Sequence, residues 1–351
     1  MRFIACVLLC LLGMMRPVPA ADLQVVGGTA FDSNLYEALV KAQGGLVSRV
    51  SVTAKGFAWR GKLGVVQIEQ QAGLKHIWDA ASTEMQAGDV FVEQFFVHGI
   101  TRVGKRNKLG IRTGIKFKQA TRVPGEESYL RGVVDGDFFV PLGTHFISRV
   151  RFGFGGDDSR DVLLAEADYH SAGLDLVYAR SRQFKAHVRF SRRWIDYDRA
   201  ALVLEKSDQI TALKMNQADQ TSSLILGFQA YAGMLIQADY AFSRNRSNSF
   251  GYDYWSHRLQ GMLVRPLFWK MDVQIFAQFH VRLYDDLVPN LIGQATETDA
   301  YEQSIGVLKM SRQISPKYVL AGQYGFYRNG ARQGDGFYRK HVFSLMLEAK
   351  L

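Results

Sequence analysis

The chain has 351 residues, with 43 Lys and Arg against 33 Asp and Glu and a formal net charge of +10. Beyond residues 1–20, no apolar run approaches the ~18 residues that a membrane-spanning helix needs, so helical spans are excluded. Both cysteines, Cys6 and Cys10, lie within residues 1–20. The rest of the chain therefore has no disulfide, thiolate metal site or cysteine nucleophile.

The first twenty residues have the layout of a secretory signal peptide. Arg2 provides a positive start, an apolar run covers Phe3–Met15, and Val18-Pro19-Ala20 supplies small residues for cleavage. We expect cleavage after Ala20, which leaves residues 21–351 as one exported domain. Removing Arg2 and Arg16 lowers the formal charge from +10 to +8.

Most of the remaining chain consists of segments in which apolar and polar side chains alternate, as in strands with two different faces. The segment Lys270–Leu283 shows this most clearly. Its apolar face consists of Met271, Val273, Ile275, Ala277, Phe279, Val281 and Leu283. Its opposite face consists of Lys270, Asp272, Gln274, Phe276, Gln278, His280 and Arg282. A long strand of this kind is typical of a wall between lipid and water.

We predict sixteen strands. In chain order they are centred near Val26, Val50, Ile68, Phe96, Ile111, Val133, Val150, Leu174, Val188, Leu226, Ala238, Leu259, Ile275, Ile305, Ala321 and Leu345. The connections alternate between short ones, such as Gly104–Asn107, and long polar ones, such as Tyr197–Gln220. Barrels of the Gram-negative outer membrane have short periplasmic turns and long external loops. The pattern predicts an all-β, antiparallel up-and-down transmembrane β-barrel, with fourteen or eighteen strands as the other even counts.

The chain ends on a predicted strand with an apolar face formed by Phe343, Leu345, Leu347, Ala349 and Leu351. This strand resembles the C-terminal signal that the barrel-insertion machinery of the outer membrane reads, with Leu351 in place of the usual terminal aromatic residue. We therefore expect the insertion machinery and outer-membrane lipids as partners.

Two segments of the chain resemble known barrels. They consist of Gly28 with Phe31–Tyr36, and of Arg244–Ser249 with Tyr252, Tyr254, His257 and Arg258. The first resembles the opening of the beta-barrel porin 2 group, and the second resembles late hairpins of that group. Surface-lipoprotein assembly modifiers and polysaccharide-export outer-membrane proteins carry similar hairpins. The resemblance implies an outer-membrane barrel for export or diffusion of a hydrophilic cargo, and it carries over no catalytic residue.

A weak internal echo links two predicted hairpins. Ala238–Asn245, followed by His257, is similar to Gly322–Asn329, followed by His341. Two up-and-down hairpins of one barrel account for this similarity, so it requires no duplication.

The predicted inward face is rich in basic residues. The pore-lining bases are Arg49, Lys108, Arg112, Lys116, Arg149, Arg151, Lys185, Arg189, Arg193, Lys270 and Arg282. The inward acids are Glu69, Asp135, Asp137, Asp175, Asp239 and Asp272. Positive charge within a low-dielectric wall favours anions, and arginine binds carboxylate and phosphate groups through paired hydrogen bonds.

These residues predict a channel for a hydrophilic, anionic cargo, either small solutes or a secreted polysaccharide. Polysaccharide export would add a periplasmic export partner. In the alternative interpretation of the lumen, the bases pair with loop carboxylates and the Tyr197–Gln220 loop folds inward as a plug. The alternative function is a non-conducting barrel that serves assembly or surface display of another protein.

Enzyme, metal and nucleic-acid functions have weak support in the sequence. A hydrolase could use the loop pairs Asp157-Asp158 or Asp285-Asp286 with His170, but acidic pairs in loops are usually solvated or bind divalent ions. The eight histidines are dispersed without a metal-binding spacing, and basic residues alternate with apolar ones instead of forming a patch. We expect no catalysis, cofactor, metal or nucleic acid.

Overall fold

The computed structural model describes residues 22–33, 44–78, 88–121, 128–159, 166–205, 210–285, 304–330 and 337–351. Sixteen β-strands form within these ranges. In chain order they are β1 Asp22–Asp32, β2 Gly45–Arg60, β3 Gly64–Ile77, β4 Gly88–Val103, β5 Asn107–Thr121, β6 Tyr129–Pro141, β7 Phe146–Ser159, β8 Ala167–Ser181, β9 Phe184–Leu204, β10 Ile210–Tyr231, β11 Leu235–Ser247, β12 Tyr254–Pro266, β13 Met271–Tyr284, β14 Ser304–Gln313, β15 Tyr318–Gly330 and β16 Phe337–Lys350.

The strands form one closed, antiparallel barrel in which each strand pairs with its neighbours in sequence. Closure comes from β1 and β16, whose register runs from Gln24 opposite Lys350 to Asp32 opposite Val342. Every predicted strand centre lies in the corresponding strand, so the sixteen-stranded barrel is confirmed and the counts of fourteen and eighteen are wrong. Closure pairs both edges of the sheet, which satisfies backbone groups that lipid cannot hydrogen-bond.

The connections alternate in length as the sequence predicts. One end of the barrel has short turns, among them 61–63, 104–106 and 232–234. Gly104 and Gly233 adopt φ angles of 68° and 71° in these turns, which glycine tolerates without a steric cost. The other end carries the longer connections, for example 285–303. The first residue of β1 and the last residue of β16 both lie at the short-turn end.

The outer surface of the barrel wall is apolar. Large side chains at alternate strand positions are exposed there, for example Ile115 (57%), Phe279 (61%) and Leu345 (56%). A large exposed apolar surface is unfavourable in water and is matched by lipid. Among the described residues, no helix has the length and apolarity needed to cross a membrane.

The prediction of a long loop at Tyr197–Gln220 is wrong. β9 continues to Leu204 and β10 begins at Ile210, so most of this segment is a paired strand extension instead of an inward plug. Side chains of the neighbouring turn support the extension: the Ala218 amide donates to Asn248 Oδ1 at 2.8 Å, and Asn248 Nδ2 donates to the Asn216 carbonyl at 3.0 Å. Apolar residues occupy consecutive positions in part of the extension, as in Ala200–Leu204, so the alternation that marks membrane strands is lost although pairing continues.

Candidate site in the barrel lumen

The strand register shows which side chains point into the lumen, because directly opposite residues share a face and alternate residues lie on opposite faces. Ile115 is exposed on the outer surface, so Arg112 and Lys116 on the same strand face inward. Arg112 lies opposite Asp135 on β6, and Asp137 on the same strand lies opposite Arg151 on β7. The same face continues across β8 to β9.

Ten of the predicted pore-lining bases lie at inward-facing strand positions. They are Arg49, Lys108, Arg112, Lys116, Arg149, Arg151, Lys185, Arg189, Arg193 and Arg282. Lys270 does not lie in a strand, contrary to the predicted segment Lys270–Leu283, because β13 begins at Met271. Its φ of 55° places it in the turn that precedes β13, at the short-turn mouth of the barrel. The role of all eleven residues in permeation stays a prediction.

Asp175 is the centre of an arginine cluster on β7, β8 and β9. Its side chain is only 1% exposed. Arg189 Nε donates to Oδ1 at 2.9 Å, Arg149 donates to Oδ2 through both Nε and Nη2, and Arg151 Nε lies 3.1 Å from Oδ2. Asp137 is the second acid of the cluster, 3.5 Å from Arg151 and 4.0 Å from Arg149. Three guanidinium groups therefore share two carboxylates, which leaves a net positive charge.

Two further arginines each stack on an aromatic ring. Each ring lies over a glycine of the adjacent strand. The Arg112 guanidinium lies 4.0 Å from the centre of the Phe96 ring, and a Cβ on Gly114 would come within 2.1 Å of that ring. Glycine at this position therefore leaves room for Phe96 to lie flat on the wall. Such cation–π stacking orients the guanidinium while its charge stays available to another partner.

Arg193 shows the same arrangement on β7, β8 and β9. Its guanidinium lies 3.8 Å from the centre of the Tyr169 ring, and a Cβ on Gly155 would approach the Tyr169 ring to 2.5 Å. Within the described part of the chain, neither Arg112 nor Arg193 has a carboxylate at ion-pair distance. These two charges differ in this respect from the arginines that surround Asp175.

A cavity of about 780 Å³ joins these groups. Its lining includes Arg112, Arg193 and the three arginines of the cluster, together with Asp135, Asp137, Glu69, Phe96 and Tyr169. Glu69 is itself paired with Lys55 at 3.0 Å. The arginines outnumber the acids that remain, so the cavity is a place where a mobile anion meets several guanidinium groups.

Several inward acids were not predicted from the sequence, and the lumen is less basic than predicted. Asp157 lies in β7 instead of the predicted loop, and Arg131 Nη2 donates to it at 2.8 Å. Asp32 at the end of β1 and Asp219 within the long strand β10 also take inward positions. The ion-pair partners of the arginine cluster come from strands, not from loop carboxylates as the alternative interpretation of the lumen assumed.

The lumen wall formed by β10 to β15 is rich in amide side chains, a feature that was not predicted from the sequence. Its inward glutamines are Gln229, Gln237, Gln260, Gln274, Gln278 and Gln323. Gln237 and Gln260 both donate to the Asp239 carboxylate at 3.1 Å, and His187 lies 3.4 Å from the same group. Gly227 makes this possible, because a Cβ there would come within 1.9 Å of Asp239.

The residues considered for hydrolysis do not come together. Asp157 binds Arg131 inside the lumen, whereas His170 faces outward and stacks on Trp194 with ring centres 4.9 Å apart. Asp285, at the end of β13, accepts hydrogen bonds from both terminal nitrogens of Arg244, and this guanidinium lowers the pKa of the Asp285 carboxyl. Asp286 lies outside the described residues. The described part of the chain contains no cluster of three His, Asp or Glu side chains that could hold a metal ion.

A closed sixteen-stranded barrel with an apolar outer band and a polar lumen defines an outer-membrane β-barrel. Neither a protein-family model nor a curated protein matches the chain, so membership of the groups that it resembles stays a prediction.

Solved structures match in fold. Salmonella typhi OmpF in complex with daunomycin has a TM-score of 0.50 and 8% identity, with coverage of 93% of this chain and 97% of that chain. An anion-selective porin from Comamonas acidovorans has a TM-score of 0.44 and 10% identity, with coverage of 95% and 99%. A bacterial polysaccharide outer membrane secretin has a TM-score of 0.48 and 9% identity, also with coverage of 95% and 99%. Likeness at such low identity concerns the fold alone.

Proposed function

We propose that this protein is an outer-membrane channel through which hydrophilic anions pass preferentially. The observation that carries the proposal is the pair of stacked arginines, Arg112 and Arg193, beside the arginine cluster in one lumen cavity. Their charges are not cancelled by an ion pair within the described residues. A charge next to a low-dielectric wall acts over a longer distance than it does in bulk water, so the cavity attracts anions and repels cations.

Carboxylate and phosphate groups are the anions that suit this cavity. A guanidinium offers a planar set of donors that matches both groups, and several guanidinium groups at fixed positions add geometric selectivity. The inward glutamines of β10 to β15 offer amide donors and acceptors for hydroxyl groups. The cargo class is therefore hydroxylated acids or phosphate esters, either as small solutes or as segments of an acidic polysaccharide.

Planar-bilayer electrophysiology tests the selectivity. In a KCl gradient, the wild-type reversal potential is expected to show preference for chloride. Replacing both Arg112 and Arg193 with glutamine should lower the anion-to-cation permeability ratio about threefold, the order of effect of removing two nearby charges in a hydrated pore. Arg265→Gln is the matched control, because Arg265 is an exposed arginine on the outer face of β12, opposite Val273, and does not line the cavity.

An absence of current through the folded wild-type barrel would contradict the channel proposal and favour an assembly or display function. Equal permeability ratios for wild type and the double variant would contradict the role of the stacked arginines. Cargo size is tested by adding oligouronates of increasing length to the conducting channel. Blocking events that lengthen with the oligomer support a polymer, whereas blocking by monouronates alone supports small solutes, and uncharged oligosaccharides serve as the control.

A further inference from the structure

The outer face of the barrel contains two hairpins with the same tyrosine–histidine arrangement. The Tyr240 hydroxyl and His257 Nδ1 are 2.8 Å apart between β11 and β12, and the Tyr324 hydroxyl and His341 Nδ1 are 2.8 Å apart between β15 and β16. A phenylalanine completes each group, with Phe242 5.2 Å from His257 and Phe326 5.3 Å from His341 between ring centres. The internal echo in the sequence thus corresponds to a repeated outward-facing group near the long-connection end.

The second hairpin borders an apolar groove of about 580 Å³ in the outer wall. The groove runs over β14, β15, β16, β1 and β2, and its lining includes Leu308, Met310, Gly322, Tyr324, Phe343 and Leu345. A Cβ added to Gly322 would meet no atom within 4 Å, so this glycine forms an open floor between larger side chains. The groove has the apolar lining that an acyl chain requires.

Two arginines lie beyond the polar end of the groove. Arg328 on β15 is directly opposite Arg339 on β16, and both side chains are exposed on the outer face. Tyr318 faces outward on β15, ten residues before Arg328. At ~3.4 Å per residue and a strand tilt of about 40°, that separation spans about 26 Å along the barrel axis, close to the ~25 Å apolar band of such barrels. Arg328 and Arg339 therefore lie at the depth of lipid headgroups.

The first hairpin lacks this basic end. There, Arg244 holds the position that corresponds to Arg328, but it is bound to Asp285 through two hydrogen bonds and stacks 4.3 Å from the Trp255 ring centre. Trp255 takes the position that corresponds to Arg339. The two hairpins thus share the tyrosine–histidine pair and differ in the groups that could bind an anion.

We propose that the outer face of β14–β16 and β1 is a binding site for an anionic, phosphate-bearing membrane lipid. One acyl chain occupies the groove over Gly322, and the headgroup phosphate lies between Arg328 and Arg339. When the Tyr324 hydroxyl donates to Nδ1 of neutral His341, the imidazole proton is on Nε2 and can donate to an ester or phosphate oxygen. The lipid's apolar and anionic parts then each meet a matching part of the surface.

The positive charge of this surface favours a lipid as its occupant over a second copy of the chain. A two-fold contact between copies at this surface would bring Arg328 and Arg339 of one barrel against the same arginines of the other. Like charges at close range in a poorly screened environment oppose such a contact. An anionic headgroup is attracted by both arginines at once.

Native mass spectrometry of the full barrel in detergent tests the site, with phosphatidylglycerol as the probe and phosphatidylcholine of the same chains as the comparison. The wild-type barrel should keep one bound phosphatidylglycerol molecule under conditions that remove phosphatidylcholine. The double variant Arg328→Gln with Arg339→Gln, and separately Gly322→Leu, should weaken this retention about tenfold. Ala238→Leu is the matched control, because it fills the corresponding position of the first hairpin.

Heat-dependent migration on denaturing gels verifies that each variant is a folded barrel before lipid binding is measured. Equal retention of the two lipids would overturn the headgroup assignment, and full retention by Gly322→Leu would overturn the groove assignment. An oligomeric wild type that Gly322→Leu converts to a monomer would show that a second copy occupies the surface, which also overturns the proposal.

Discussion

Glycines on the lumen face determine where the functional side chains can lie. Gly114 and Gly155 leave room for Phe96 and Tyr169 to lie against the wall, and each ring then supports one arginine. An alanine at either position would clash with an aromatic ring and displace it. The orientation of each arginine in the cavity thus depends on a glycine that lies directly opposite its supporting aromatic residue on the adjacent strand.

Asp175 is the residue whose removal should affect the lumen most. Asp175→Asn leaves Arg149, Arg151 and Arg189 without their shared counter-charge, so they repel one another. Removing one partner of a buried ion pair costs about 3 kcal/mol at the low end of the usual range. We expect the urea midpoint of the barrel in detergent micelles to fall accordingly.

Asp137→Asn is the matched control for this prediction, because it removes the same charge from the same cluster. Asp137 is more exposed and its arginine contacts are 3.5 and 4.0 Å, so a loss of about 1 kcal/mol is expected. Both variants should raise anion preference by similar amounts. Equal stability losses for the two variants would show that Asp175 is not the centre of the cluster.

Among the connecting elements, the β12–β13 turn stands apart because two bulky residues adopt positive φ angles. Trp269 and Lys270 have φ angles of 59° and 55°, and the Met271 amide donates to the Phe268 carbonyl at 3.3 Å. This is the geometry of a two-residue hairpin turn that favours Asn-Gly. Trp269 is 72% exposed, so the turn lacks compensating burial of its side chain.

Replacing Trp269 with Asn and Lys270 with Gly should stabilise the hairpin, because left-handed backbone costs ordinary residues roughly 1–2 kcal/mol each. The expected gain is about 1 kcal/mol, measured as a higher urea midpoint in micelles. Gly233→Ala tests the same principle in the opposite direction, since Gly233 has a φ of 71° and alanine there should destabilise the β10–β11 turn. A lower midpoint for the Asn-Gly variant would mean that Trp269 anchors the barrel at the membrane interface instead.

The β9–β10 hairpin shows where prediction of elements from sequence ends. Strand centres at Val188 and Leu226 were predicted correctly because their flanks alternate between apolar and polar residues. Towards the tip of the hairpin, apolar residues such as Ala200–Leu204 are consecutive, so the pairing that continues to Leu204 and Ile210 leaves no periodic trace in the sequence. Predicted loops next to membrane strands are therefore too long.

For the whole molecule, the uneven distribution of charge around the lumen predicts a dependence on ionic strength. The arginine cavity is a solvent-accessible, positively charged part of the lumen wall, so dissolved salt screens its attraction for anions. The Debye length is about 10 Å at 0.1 M salt and about 3 Å at 1 M. We expect the anion-to-cation permeability ratio to fall by at least about half when KCl is raised from 0.1 to 1 M at a fixed gradient.

The double variant with glutamine at positions 112 and 193 is the control, and its permeability ratio should change little with salt. A wild-type ratio that is independent of salt would indicate that selectivity comes from direct binding inside the cavity and not from the long-range field.

The sequence by itself determined the barrel and the two faces of its wall, because a strand between lipid and water must alternate. It favoured sixteen strands among the even counts, and the structure decided that number. The sequence also placed bases such as Arg112, Arg149 and Arg189 on the inward face. The tertiary structure decided how those charges are compensated. Asp175 lies 14 residues from Arg189 and 26 from Arg149, and these separations follow from the register between strands, which alternation within one strand does not specify.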